Sequence, residues 1–138
     1  MDQQQQQQAY AQYQQLQQQL EEVQEYLEDV EEEIEEFQET EKALKDLESI
    51  EEGKEILAKI GPGAYAKAEL KDSEQVVTKV GGDSFEEKER EDARETIQKE
   101  QERAQETKEE LEDTMQDLQG KLQQIQMQIQ KQQQQAQE

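Results

Sequence analysis

The sequence predicts an α+β protein that is mostly α: two long helices, paired antiparallel as a coiled-coil hairpin, joined by two β-hairpins. The first observation behind this class is that apolar or small residues recur in alternating steps of four and three along both ends of the 138-residue chain, a pattern typical of a coiled-coil seam. The second is a short β-patterned block around the turn Gly61-Pro62-Gly63. We expect one domain in three parts: residues 1–138 as the domain, 2–52 as the N-terminal helix, 53–88 as the two β-hairpins and 90–135 as the C-terminal helix.

The N-terminal helix follows from a seam that is unbroken as far as Phe37. Its positions are Ala9, Tyr13, Leu16, Leu20, Val23, Leu27, Val30, Ile34 and Phe37. Asp2 is placed to cap the helix, and Gly53 supplies a left-handed stop at its other end. Beyond Phe37 the seam weakens, because Glu41 and Glu48 fall on core positions. We therefore expect this helix to change packing partners near its base.

The central block predicts two successive β-hairpins. Its β-patterned runs are residues 55–60, 64–70, 76–80 and 84–86, of which the last is poorer and acidic. Pro62 and Gly63 suit the two middle positions of a type II turn. Gly81-Gly82-Asp83 separates the third run from the fourth. Alternating runs joined by such short turns are typical of hairpins.

The C-terminal helix holds the same heptad phase, most regularly between Leu111 and Ile129. Its positions are Ile97, Ala104, Leu111, Met115, Leu118, Leu122, Ile125 and Ile129. Its early seam is polar, with Arg90, Arg94, Gln101 and Lys108 on core positions. Antiparallel pairing would bring Leu16 close to Ile125 and Ile129, and would join the glutamine-rich segments 3–19 and 116–137 into one tip. Independent disordered tails are the alternative for the outermost residues.

Composition excludes a thick globular core and several classes of partner. Only 30% of the residues are hydrophobic, 4% are aromatic and the net charge is −22. Such a surface repels phosphate backbones and anionic lipid, so we expect no nucleic acid and no membrane partner. No apolar run approaches the ~20 residues of a membrane span and no signal-peptide pattern opens the chain, so we expect a cytoplasmic protein.

The acidic excess has two interpretations. One is a cytosol of very high salt, as in a halophile, where strong screening permits a charge density that is otherwise destabilising. The other is an ordinary solvated helix face, because most of the excess is Glu, which favours helices.

The residue types argue against an active site. The sequence contains no Cys, His, Trp or Asn, which removes thiol and imidazole chemistry and the usual zinc ligands. Paired carboxylates such as Glu109-Glu110 fit a solvated face, because a two-helix rod has no pocket that would desolvate one of them. Neither a calcium-hand loop nor a phosphate-cradling loop occurs. We expect no enzyme, no catalytic or metal site and no cofactor, so that function rests on surfaces.

The first candidate surface is the central block, whose strands hold too little apolar area to close on themselves. We expect it to join subunits through Ile56, Leu57, Ile60, Leu70, Val76, Val77 and Val80. A cap formed within the same chain is the alternative.

The second candidate surface is the tip of the coiled coil. Its client-binding candidates are Tyr10, Tyr13, Leu16, Ile125, Met127 and Ile129. Most of these lie on the seam, for which core packing is the alternative. Tyr10 and Met127 fall off the seam and should face outward, where an amphipathic Tyr and a soft Met suit varied apolar partners.

The central block also carries a family resemblance. The run GKEILAKIGPGAYAKAELKD, residues 53–72, closely resembles the first hairpin of prefoldin alpha subunits, and VVTKVGG, residues 76–82, is similar to their second. Two hairpins are typical of the alpha class, whereas beta-class subunits have one. On this resemblance the chain is identified as an archaeal prefoldin alpha subunit, and the acidic composition indicates a halophile.

The resemblance implies a chaperone subunit and its partners. It implies a hexamer of two alpha and four prefoldin beta subunits, whose hairpins assemble into an intersubunit β-barrel platform with coiled-coil tentacles below. It also implies ATP-independent capture of unfolded client proteins at the tentacle tips and their delivery to a group II chaperonin. A filament-forming or structural coiled-coil relative, whose hairpins join end to end, is the alternative.

Overall fold

The computed structural model describes residues 3–137, which form two long helices and four short strands. In chain order the elements are α1 (Gln3–Leu47), β1 (Glu55–Gly61), β2 (Ala64–Glu69), β3 (Gln75–Gly81), β4 (Ser84–Glu89) and α2 (Arg90–Gln137). This mostly helical α+β architecture confirms the predicted fold class. Asp2, the predicted cap, and the side chain of Val80 lie outside the described part of the chain.

Helix α1 ends at Leu47, earlier than the predicted boundary at residue 52. The N–H groups of residues 48–50 each donate to the carbonyl three residues earlier, at 3.1–3.2 Å. Such bonds tighten the last turn and end a helix. Gly53 has the expected positive φ, 85°, but its N–H belongs to the first hairpin, since it donates to the Leu70 carbonyl at 2.7 Å.

Two antiparallel hairpins connect the helices, as predicted. β1 pairs with β2 and β3 with β4, which makes two separate two-stranded sheets. In the first turn Gly63 has φ of 73°, the left-handed value that a type II turn needs at its third residue. The second turn uses φ of 143° at Gly81 and 51° at Gly82. Strand β4 extends to Glu89, so the acidic strand is longer than the sequence predicted.

The two hairpins share one register, twenty residues apart. Glu55 pairs with Glu69 in the first, and Gln75 pairs with Glu89 in the second. Both ladders are irregular at the equivalent step beside the turn, between Lys59 and Gly61 and between Lys79 and Gly81. The chain therefore presents one structural unit twice.

A polar junction ties the second hairpin to the start of α2. Asp72 Oδ1 accepts hydrogen bonds from the backbone N–H groups of Glu74, at 2.8 Å, and Gln75, at 3.3 Å. Arg90 donates from Nη1 to the Ser73 carbonyl at 2.8 Å, and its backbone N–H donates to the Glu74 carbonyl at 2.6 Å. Strand β4 therefore passes into α2 without a loop.

The chain divides into two compact units, residues 1–33 with 104–138 and residues 34–103. In the first unit the predicted seam is covered throughout. Its buried members are Ala9, Val30, Ala104 and Leu118, and its half-buried members are Tyr13, Leu16, Leu20, Val23, Leu27, Leu111, Met115, Leu122, Ile125 and Ile129. A hydrogen bond from Gln133 Nε2 to Tyr10 Oη, 3.3 Å long, joins the first turns of α1 to the last turns of α2, so the two helices pair antiparallel here.

In the second unit the helix seam has an apolar part and a polar part. Its buried apolar residues are Ile34, Leu44 and Ala93. Beside them Glu41 Oε1 accepts a hydrogen bond from Gln98 Nε2 at 2.9 Å and lies 3.9 Å from Arg94 Nε. The sequence places Glu41 and Arg94 on the seam, and the structure confirms that both are half-buried. Because a partly exposed ion pair contributes only about 0–1 kcal/mol, this polar layer adds little stability.

Candidate interaction surfaces

The first hairpin has one half-buried face and one exposed face. The half-buried face holds Ile56 opposite Ala68 and Ala58 opposite Ala66, and the exposed face holds Leu57 opposite Lys67 and Lys59 opposite Tyr65. Successive residues of a strand point to opposite faces. Ile56 therefore lies on the covered face and Leu57 on the exposed one. Leu57 and Ile60 are 65% and 73% exposed, which is unusual for large aliphatic side chains.

The second hairpin repeats this division. Val76 opposite Lys88 and Thr78 opposite Glu86 lie on one side, where all but Glu86 are half-buried, whereas Val77 opposite Glu87 and Lys79 opposite Phe85 lie on its exposed side. Val77 and Phe85 are 63% and 65% exposed. Each hairpin thus presents one aliphatic, one aromatic and one lysine side chain at equivalent positions.

The exposed faces differ in charge at two equivalent positions, one of which is Glu55 in the first hairpin and Gln75 in the second. Lys67 stands opposite Leu57 in the first hairpin, and Glu87 stands opposite Val77 in the second. The turn-proximal Lys59 and Lys79 keep the same sign in both. The two hairpins therefore offer surfaces with the same register and different charge.

Both hairpins are suited to contact with other chains. An isolated two-stranded sheet is marginally stable in water, and a strand edge without a neighbour is a template for another strand. Here exposed apolar side chains lie beside such edges. Contact with further strands would cover the apolar side chains and complete the hydrogen-bond ladders together.

The tip of the coiled coil, residues 3–20 with 118–137, exposes two of the predicted residues. Tyr10 is exposed and Met127 is 61% exposed, as their off-seam positions predict. Tyr13, Leu16, Ile125 and Ile129 are half-buried between the helices. The tip therefore exposes little apolar area.

A groove of about 350 Å³ runs along one side of the tip. It is lined by Gln12, Gln15, Leu16, Gln19, Lys121, Gln124 and Ile125. Leu16 and Ile125 are half-buried and form its apolar base, whereas the glutamines and Lys121 are exposed. The expected proximity of Leu16 to Ile125 is thus observed in this unit.

A smaller cavity, of about 50 Å³, lies nearer the chain ends. It is lined by Gln6, Tyr10, Ile129, Gln132 and Gln133. Gln132 is only 7% exposed, and its Oε1 has no hydrogen-bond partner. The sequence prediction missed this residue, although it continues the alternation of four and three beyond Ile125 and Ile129. A seam position filled by glutamine is thus buried like its apolar neighbours.

Comparison with known families identifies the chain. Residues 3–135 match the family of prefoldin subunits. The chain belongs to the prefoldin family. Its two long helices and two β-hairpins are the prefoldin fold.

A solved prefoldin structure has the same fold. The cryo-EM structure of a filamentous PFD from Methanocaldococcus jannaschii superimposes with a TM-score of 0.73 at 23% sequence identity, over 82% of this chain and 93% of that one. At this identity the likeness concerns the fold alone. A search of curated proteins found no significant match.

The hairpin residues predicted to join subunits fall into an exposed group and a half-buried group. Leu57, Ile60 and Val77 are exposed on the hairpins, whereas Ile56, Leu70 and Val76 are half-buried. Tyr65 and Phe85, which the sequence prediction did not include, join the exposed group. Their signal in the sequence is their equivalent position in the two hairpins, twenty residues apart.

Within residues 3–137 no group of three or more acidic side chains is arranged to hold a metal ion. Neither helix, over the same residues, has a stretch long and apolar enough to cross a membrane.

Proposed function

We propose that this chain is an alpha-class subunit of an ATP-independent chaperone. Two alpha and four beta subunits would form a hexamer, hold unfolded proteins at the coiled-coil tips and pass them to a group II chaperonin in the cytoplasm. The observation that carries the proposal is the pair of hairpins with one register and two exposed apolar faces. A subunit with two such faces can contact neighbours on both sides.

The hairpins supply the assembly surface in this proposal. Leu57, Ile60, Tyr65, Val77 and Phe85 would become covered when strands of neighbouring subunits join them in an intersubunit β-barrel. Burial of apolar area contributes about 25 cal/mol per Å², so covering several large side chains favours a long-lived complex. Ile56, Leu70 and Val76 would support the barrel from the half-buried side, and Val80 belongs to the same predicted set.

The tip supplies the client surface. Tyr10 and Met127 would make adaptable contacts, and Tyr13, Leu16, Ile125 and Ile129 would become accessible when the free helix ends fray. The acidic composition supports an archaeal halophile as the source, because a high intracellular salt concentration screens the net charge of −22.

The test is to mix the full-length chain with a beta-class prefoldin subunit. Native mass measurement should give a discrete complex of two chains of this protein with four beta subunits. That complex should suppress client aggregation without ATP. Absence of both a discrete complex and protection would contradict the proposal.

Self-assembly into filaments is the second candidate. The relative from Methanocaldococcus jannaschii is described as filamentous, and hairpins exposed on two equivalent faces could also join copies of one chain end to end. Long filaments formed by this chain alone, under conditions where no mixed complex forms, would favour this candidate.

A further inference from the structure

The methionines of the chain occupy different environments. Met115 lies on the seam of α2 and is half-buried, whereas Met127 faces outward at the tip and is 61% exposed. The third methionine, Met1, lies outside the described residues. The susceptibility of a thioether to oxidation follows its exposure, because the oxidant must reach the sulfur. The two described methionines should therefore react at different rates.

Met127 supplies a large share of the apolar surface that the tip exposes. The large exposed apolar side chains of the described tip are Tyr10 and Met127. Tyr10 Oη accepts a hydrogen bond from Gln133 Nε2 at 3.3 Å, which ties that ring to α2. Methionine is unbranched and polarizable, so it adapts to apolar partners of different shape. A change in the polarity of Met127 therefore alters much of the apolar contact that the tip offers.

The helix surface around Met127 suits an oxidised side chain. Three glutamines and one lysine lie three or four positions from it, and all are exposed: Gln123, Gln124, Gln130 and Lys131. Side chains at these spacings are neighbours on a helix surface. Their amide and ammonium groups donate hydrogen bonds, and a sulfoxide oxygen accepts them. At Met115 the same polar oxygen would enter the seam and disturb its packing.

We propose that Met127 is a reversible oxidation site, at which hydrogen peroxide converts the thioether to a sulfoxide and weakens the hold of the tip on unfolded polypeptide. This inference rests on the proposed chaperone function and adds its regulation. Client capture would be weakest under oxidising conditions, while the helices and the hairpins stay intact.

The chemistry is a two-electron oxygen transfer. A lone pair of the Met127 sulfur attacks one peroxide oxygen, and the O–O bond breaks. The hydroxide that leaves takes the proton from the transferred oxygen and becomes water, so the sulfur is oxidised and the peroxide is reduced. A methionine sulfoxide reductase reverses the change. In that step two thiols become a disulfide, and the sulfoxide oxygen leaves as water.

The first test locates the oxidation. The full-length chain is treated with hydrogen peroxide, and mass spectrometry of its peptides follows the gain of one oxygen at each methionine. Met127 should react several-fold faster than Met115. Circular dichroism should stay unchanged while Met127 alone is oxidised. Equal rates at the two methionines, or loss of helix as Met127 reacts, would contradict the proposal.

The second test measures the effect on binding. The probe is a labelled, uncharged unfolded peptide of Leu separated by Ser and Gln, and fluorescence anisotropy gives its affinity for the full-length chain. Oxidation of Met127 should weaken binding roughly fivefold, the effect of losing one partly buried methionine contact. Because the sulfoxide changes polarity and not charge, the loss should be the same at low and multi-molar KCl.

Three variants assign the effect to one sulfur atom. Met127→Leu keeps an apolar side chain without sulfur, so its affinity should stay high after peroxide treatment. Met115→Leu is the matched control, and it should lose affinity on oxidation as the unmodified chain does. Met127→Gln should bind weakly without any oxidant. Treatment of the oxidised chain with methionine sulfoxide reductase should restore its affinity.

Three results would overturn the inference. They are unchanged affinity once Met127 is fully oxidised, an equal loss of affinity in Met127→Leu, and no binding of the peptide by the unoxidised chain. If the chain with its beta-class partner still assembles and suppresses aggregation, only the role of Met127 is wrong. If assembly and protection also fail, the proposed function fails with it.

Discussion

The hairpins and the tip are both exposed, but they expose different chemistry. The hairpins present large apolar side chains, five of which are between 56% and 73% exposed. The tip covers most of its apolar side chains and presents glutamine amides around a groove. Apolar area favours contacts that form once and persist, because its burial contributes free energy in proportion to area. Amides exchange protein partners for water at little net gain, which suits weak and reversible contacts.

Charge insertion on the hairpins tests the first half of this contrast. The double variant Leu57→Asp, Val77→Asp should disrupt assembly with beta-class subunits, because each change removes an apolar contact and buries a charge. Removal of a central interface residue costs about 2 kcal/mol or more, roughly a thirtyfold loss of affinity. Native mass measurement at several concentrations gives the affinity.

The matched control is Tyr26→Asp, since Tyr26 is also exposed but belongs to α1 and not to either hairpin. It should leave assembly unchanged. An intact complex in the double variant would mean that the exposed hairpin faces are not the assembly surface.

Replacement of the buried Gln132 tests how the seam at the tip is packed. Gln132→Leu should stabilise the coiled coil, because it removes a buried carbonyl that has no hydrogen-bond partner and leaves the seam apolar. The expected gain is about 1–2 kcal/mol in the free energy of unfolding, measured by urea denaturation. Gln130→Leu, on the exposed side, is the control and should change stability little. Destabilisation by Gln132→Leu would show that the amide makes a contact needed for folding.

Removal of the tips separates the two surfaces functionally. Deletion of residues 1–15 and 126–138 should leave assembly intact and weaken protection against client aggregation several-fold, because the hairpins remain and the groove loses part of its lining. Light scattering of a denatured client follows protection. Unchanged protection in a complex whose beta subunits are also trimmed would rule out the tip as the client surface.

The response to salt should also differ between regions. From low to multi-molar KCl, helical content should rise, because screening removes repulsion among the carboxylates of residues 21–117. Circular dichroism gives the total change. Hydrogen exchange should show stronger protection in acidic segments and little change in residues 3–20, which carry no charge. A flat response to KCl would contradict the interpretation as a halophilic protein.

Local rules predicted much of this fold. The heptad phase identified the seam, the Gly61-Pro62-Gly63 turn gave the first hairpin, and the off-seam positions of Tyr10 and Met127 predicted their exposure. These features depend on spacing and backbone preference within a few residues. Sequence reading can therefore reach them without knowledge of the whole molecule.

Other features depend on contacts between distant segments. The alternation in β1 separates Ile56 from Leu57, but which of the two is covered depends on packing outside the strand. The Gly53 N–H bonds to Leu70, a contact that no helix rule contains, and α1 ends earlier than predicted. Gln132 lies on the heptad alternation, but the lack of a hydrogen-bond partner for its Oε1 depends on the side chains of α1 beside it. The choice of residues for client binding remains a prediction.

The polar layer of Glu41, Arg94 and Gln98 bears on how the two helices find their alignment. Most exposed positions of residues 3–20 and 118–137 are glutamine, so a shift of one heptad would leave the outer faces of these ends nearly unchanged. The same shift would separate the Glu41 carboxylate from Arg94 and Gln98 and leave a half-buried charge without its partners, which is costly. A polar layer that adds little stability can thus fix the alignment of α1 and α2. It disfavours shifted pairings of the two helices, which the glutamine-rich ends alone would not distinguish.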